Sequence, residues 1–131
     1  MSITTTIGTL VDASPAFRRL AVQELPVKTA YRLSRIIKKA EEHLSFYEEQ
    51  YTAALEKHCE QRGDEGRWFP KTAEDHAEFE RRLAELRLVD AELENVSPCV
   101  IADGEGVKIT CADMIALEAF VEFEIEEEEE K

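Results

Sequence analysis

The sequence predicts an α+β domain that is mostly α-helical, and three observations lead there. The stretch "VKTAYRLSRIIKKAEEHLSFYEEQYTAALEKHCEQR", residues 27–62, holds no glycine or proline, with Pro26 before it and Gly63 after it. A second helical pattern follows after a short turn. Runs of β-branched or alternating residues, "ITTTI" at 3–7 and "VEFEI" at 121–125, stand near the two ends. The expected architecture is a long antiparallel helical hairpin with a short N-terminal helix, a buried C-terminal helix and a small β-sheet.

From the N-terminus, "ITTTI" has the β-branched composition of a strand. Ser14 and Pro15 then read as N-cap and first residue of a short helix running through Phe17, Leu20 and Ala21 to Glu24. In the long stretch, Ala30, Leu33, Ile37, Ala40, Leu44, Tyr47, Tyr51, Ala54 and His58 recur at steps of three and four. Such a seam predicts one long helix packed lengthwise on another, entered at Pro26 and stopped by Gly63.

The partner is expected in "TAEDHAEFERRLAELRLVDAEL". Thr72 and Asp75 have capping-box spacing, and His76, Phe79, Leu83 and Leu86 give a second seam. Between the helices, "GDEGRWFPK" has the glycines and proline of a connecting turn. Beyond Leu93 the period changes. Two β-branched runs flank "ADGEG" within residues 95–110 and read as a β-hairpin, with Pro98 confining the first run to an edge. Thr110 and Asp113 form another capping pair and open "CADMIALEAF", whose polar positions after the cap are few enough to predict a buried core helix. As a strand, "VEFEI" puts Val121, Phe123 and Ile125 on one face and its glutamates on the other, and "ITTTI" is its expected partner.

At 131 residues the chain has the length of one domain, expected over 1–126 with an acidic tail at 127–131. A hydrophobic content of 44% separates it from disordered chains. No apolar run approaches the roughly 20 residues that span a bilayer, and the first residues lack the basic and apolar regions of a signal peptide. Three widely spaced cysteines, Cys59, Cys99 and Cys111, fit a reducing compartment better than a disulfide framework. Charge is split along the chain. Residues 1–40 carry seven Lys/Arg against two acids, and residues 41–131 carry nine against 27, so the two parts stand at +5 and −18. The overall −13 disfavours nonspecific binding to nucleic acid or membrane, and the asymmetry points to self-association or a charged protein partner.

The motifs of common catalytic chemistry are missing from the sequence. No Glu stands three residues before a His on a shared helix, as di-iron bundles require, and there is no zincin motif, phosphate loop or nucleophile elbow. No cofactor is expected. His58, Cys59 and His76 are the residues from which a metal-dependent enzyme would have to be built, although structural zinc asks for four well-spaced ligands. Arg62-Gly63-Asp64 spells an adhesion tripeptide and is read as coincidence. Two features remain as candidate interaction sites. Lys28, Arg32, Arg35 and Lys39 step by four, three and four, forming a cationic stripe on the long helix. It reads either as a solvated face or as a dock for acid, including the five glutamates of the chain's own tail. Trp68 and Phe69, beside Pro70 in the turn, read either as a plug on the helices or as an interface anchor.

Leu25, Pro26, Lys28, Ala30, Tyr31, Arg32 and Leu33 make the pattern L-P-x-K-x-A-Y-R-L at the head of the long helix. With the capped "ITCADMIALEAFVEFE" near the end, this resembles a family of short uncharacterised phage- and prophage-encoded proteins. The resemblance implies a phage setting in a host cytoplasm or a virion, and no catalytic residues. The expected function is therefore a non-enzymatic structural or assembly accessory, oligomeric and acting through protein–protein contacts. The alternative is an acidic inhibitor that mimics nucleic acid in the basic groove of a host protein, motivated by the −18 over residues 41–131.

Overall fold

A computed structural model describes residues 1–102 and 106–124. In chain order the elements are β1 (Ser2–Thr6), α1 (Ile7–Ala21), α2 (Val27–His58), β2 (Cys59–Arg62), β3 (Arg67–Pro70), α3 (Ala73–Arg87), β4 (Asp90–Glu94), β5 (Cys99–Ala102), α4 (Cys111–Ala116) and β6 (Val121–Glu124). The fold is α+β and mostly helical, with α2 as its long helix.

The first helix begins earlier than Ser14 and is longer than the sequence reading expects. Thr6 is its N-cap, its hydroxyl accepting the Thr9 N–H at 3.3 Å, and Pro15 sits inside the helix. The added turns bring Ile7 and Leu10 into the core, both essentially without solvent exposure. Burying two such side chains contributes about 1.5–3 kcal/mol each, which matches or exceeds the roughly 3 kcal/mol cost of an internal proline. The helix passes close to the end of α3 at Gly8, where a Cβ would stand 2.9 Å from the Arg87 carbonyl oxygen.

Helix α2 starts at Val27 as expected but ends at His58, because Cys59–Arg62 pairs with Arg67–Pro70 as an antiparallel hairpin. The turn relies on Gly63 and Gly66, at φ of 78° and 66°, where a side chain would be strained. Helix α3 is capped by Thr72 as expected. The Thr72 hydroxyl accepts the Asp75 N–H at 3.0 Å and donates to the Asp75 carboxylate at 3.1 Å. It stops at Arg87, and "DAEL", read as its continuation, belongs instead to the strand β4.

The sheets correct the expected strand pairing. Strand β1 pairs antiparallel with β4, setting Ile3 opposite Leu93 and Thr5 opposite Ala91. Strand β6 pairs parallel with β5, setting Val121 beside Cys99 and Phe123 beside Ile101. "ITTTI" and "VEFE" are thus partners of other strands, not of each other. Ile125, and the tail at 127–131, lie outside the described residues. The second strand of the hairpin expected around "ADGEG" does not form at 107–110, and β5 pairs in parallel with β6 instead, an arrangement that a tight turn cannot make. Helix α4 is capped as expected, the Thr110 hydroxyl accepting the Asp113 N–H at 3.1 Å. Of the stretch read as a core helix, α4 covers only Cys111–Ala116. Leu117 and Phe120 follow it in turns and are fully buried, while Ile115 is exposed.

One core joins α1, the first half of α2, the β1–β4 and β5–β6 pairs and the segment after α4. At its centre the rings of Phe17 and Phe120 stand 5.2 Å apart. The second half of α2 and most of α3 project beyond this core with the β2–β3 hairpin at their end. Past Ala40 only Ala54 of α2 is buried, and Leu86 is the sole buried residue of α3. Tyr51 packs edge-on against Phe79 at 5.8 Å, and Arg82 reaches Gln50.

Candidate functional site

The cationic stripe divides in two. Lys28, Arg32 and Arg35 line one groove of about 390 Å³, closed on its other side by the loop of Asn95 and Ser97. Lys39 is half-buried farther along α2 and does not line it. The groove forms because helical spacing stacks residues 28, 32 and 35 on one side, and because Asn95 turns the chain back at φ 59°. That turn aims the Asn95 carbonyl at the helix, where it accepts a hydrogen bond from Arg35 Nη2 at 3.2 Å. The Arg35 guanidinium also lies 5.9 Å from the centre of the Tyr31 ring, a cation–π arrangement that limits its freedom.

None of the groove residues is acidic, and among the described residues none of its three cations is ion-paired. Elsewhere most arginines are taken, although among the described residues Arg18 holds no carboxylate and Arg82 reaches only the Gln50 amide oxygen. Arg19, Arg62, Arg67, Arg81 and Arg87 all hold carboxylates. In a chain with 29 acids against 16 Lys/Arg, three cations that hold no carboxylate among the described residues mark a local site for an anion.

The second feature is the aromatic tip. Trp68 lies opposite Gln61 and Phe69 opposite Glu60 in the terminal hairpin. Neighbouring strand residues face opposite ways, so the two rings occupy its two faces. They remain 39% and 40% exposed. The Arg62 guanidinium stands 5.9 Å from the Phe69 ring centre.

The residues weighed for metal chemistry are not gathered. His58 Nδ1 donates to the Asp75 carboxylate at 2.9 Å, Cys59 is buried on β2, and His76 turns to Glu80 on its own helix at 3.2 Å. Among the described residues no group of three or more His, Cys, Asp or Glu side chains is arranged to hold a metal. The His58 hydrogen bond holds the Asp75 carboxyl below the ordinary aspartate range against a smaller opposing effect of burial.

Two further arrangements escaped the sequence reading. Arg19 on α1 grips Asp113 on α4, with Nε to Oδ2 at 2.7 Å and Nη2 to Oδ1 at 2.5 Å. This two-pronged bond lowers the Asp113 pKa, with burial opposing it. Tyr31, Asn95 and Ser97 complete the cationic groove, and although Tyr31 stands beside the cations on α2, no local pattern could have announced Asn95 and Ser97, because 60 or more residues separate the loop from Arg35. No family model, curated protein or solved structure matches the chain. Among the described residues no helix is long and apolar enough to cross a membrane.

Proposed function

We propose that this protein is a non-enzymatic interaction module, a phage structural or assembly accessory that works by contacts with itself or with a protein partner. The observation that carries the reading is the aromatic tip on the projecting arm. In this reading α2 and α3 form an antiparallel helical hairpin that holds Trp68 and Phe69 clear of the core, and Leu117 and Phe120 anchor the C-terminal segment. Half-exposed Trp and Phe side chains on a hairpin suit an interface, since a partner laid on either face removes one ring from water, a partner that grips the hairpin removes both, and each meets an anchor of the kind that dominates binding energy. The phage setting rests on the L-P-x-K-x-A-Y-R-L resemblance, and the non-enzymatic reading on the missing catalytic motifs.

Light scattering behind size exclusion, at high ionic strength, tests the tip. The wild-type chain is expected to run above its monomer mass of 14.9 kDa, or to do so with a captured partner. Trp68→Ala with Phe69→Ala is expected to return it to monomer while leaving its melting temperature in place. A wild-type chain that stays monomeric and partnerless at high concentration counts against the proposal.

A further inference from the structure

The groove of Lys28, Arg32 and Arg35 is distinct from the aromatic tip, and its chemistry identifies its own occupant. We infer that it binds a glutamate-rich peptide segment, and specifically the acidic C-terminal run Glu126–Glu130 of a second copy of this chain.

Charge complementarity is the first argument. Among the described residues the groove offers three cations that hold no carboxylate, is lined also by Tyr31 and Ser97, and has no carboxylate of its own, against five consecutive carboxylates in the tail sequence. Spacing is the second. Lys28 to Arg35 covers seven residues of helix, about 10 Å at 1.5 Å per residue. An extended segment covers that length in about three residues and turns alternate side chains to one face, so alternate carboxylates of a glutamate run, two residues apart, meet the cations. The state of Arg35 is the third. Its guanidinium is already positioned by Tyr31 and the Asn95 carbonyl, so less side-chain freedom is lost when a carboxylate arrives.

The direction of β6 selects a second copy over the chain's own tail. Strand β6 runs parallel to β5, which itself leads away from Ser97, so Glu124 lies beside Ala102 at the far end. Returning from there to the groove takes roughly 15 Å, while the seven residues that follow Glu124 reach at most about 24 Å when fully extended. A tail bent back on its own chain brings only its last residues to the cations. A neighbour's tail brings the whole run.

The test uses a fluorescein-labelled peptide of residues 125–131 titrated with the full-length chain, read by anisotropy at low ionic strength. Binding is expected, with on the order of tenfold weakening in Arg32→Glu/Arg35→Glu, the sum of two exposed ion pairs. Added salt should abolish it, and a peptide with glutamine at 126–130 should not bind. Both arginines are exposed on α2, so circular dichroism of the variant should match the wild type. Equal binding by wild type and variant overturns the inference, as does no binding at all. Displacement of the peptide by a single-stranded oligonucleotide more readily than by unlabelled peptide overturns it in favour of a phosphate ligand. Because the readout is peptide binding and not oligomer mass, Trp68→Ala/Phe69→Ala should leave it unchanged, and the two proposals stand or fall separately.

Discussion

Asp113 is a buried carboxylate whose two oxygens are both held by Arg19, ninety-four residues away in sequence. The arginine side chain remains 60% exposed, so the pair ties α4 to α1 at the edge of the core. The depressed pKa of Asp113 fixes the pH dependence. Its stabilising contribution is fully present above the ordinary aspartate value of about 3.9 and is lost as pH falls through the lower folded-state value. Asp113→Asn is therefore expected to lower the unfolding midpoint in urea near neutral pH, with its difference from wild type shrinking below about pH 4. A constant difference across that range would show that the ion pair is not its source. The role of Asp113 as capping partner of Thr110 was legible in the sequence, because a cap reaches only three residues. Its bond to Arg19 was not, because nothing local to either residue refers to the other.

At the scale of elements, α2 is one helix with two environments. Leu33, Ile36 and Ala40 are in the core and Leu44 and Tyr47 pack against it, whereas the part beyond Tyr47 rests on a thin seam with α3. Apolar periodicity runs along the whole helix and could not distinguish these halves, since spacing reports which face is apolar and not what covers it. Segments with few buried contacts open locally at lower free energy than the core. Hydrogen exchange should accordingly be faster for amides of 48–58 and 76–85 than for 31–40 and 10–20, and Phe79→Ala should accelerate the first pair without altering the second. Uniform protection along α2 would contradict this division. Strand β4 shows a related ambiguity. "DAELE" continues the helical spacing of α3, yet it also alternates, with Ala91 and Leu93 buried between exposed acids. Pairing with β1 decided for the strand, because Ile3 and Leu93 meet only in that register.

For the whole molecule, one core carries most of the stability, and the outer parts of α2 and α3, with few buried side chains, add little to it. Phe120 is fully buried against Phe17, whereas Phe46 on the arm's side of α2 is 44% exposed. Phe120→Ala is expected to cost about 3–5 kcal/mol, a large share of the 5–15 kcal/mol typical of a domain. Phe46→Ala should fall within about 0.5 kcal/mol of wild type. Equilibrium unfolding in urea measures both, and comparable losses would place the stabilising core elsewhere.

The sequence by itself determined the α+β class, the long helix from Val27, the caps at Thr72 and Thr110 and the cationic spacing of residues 28, 32 and 35. Each depends on interactions within a turn or two of helix, or on side-chain periodicity, and so is written in adjacent residues. Only the tertiary structure decided that β1 pairs with β4 and β6 with β5, that the helix turn is a β-hairpin, and that a distant loop converts three arginine and lysine side chains into a groove. Those outcomes depend on which buried faces meet across many residues, where burial of Ile7, Leu93 and Phe120 outweighs the local preferences of proline and helix-forming segments.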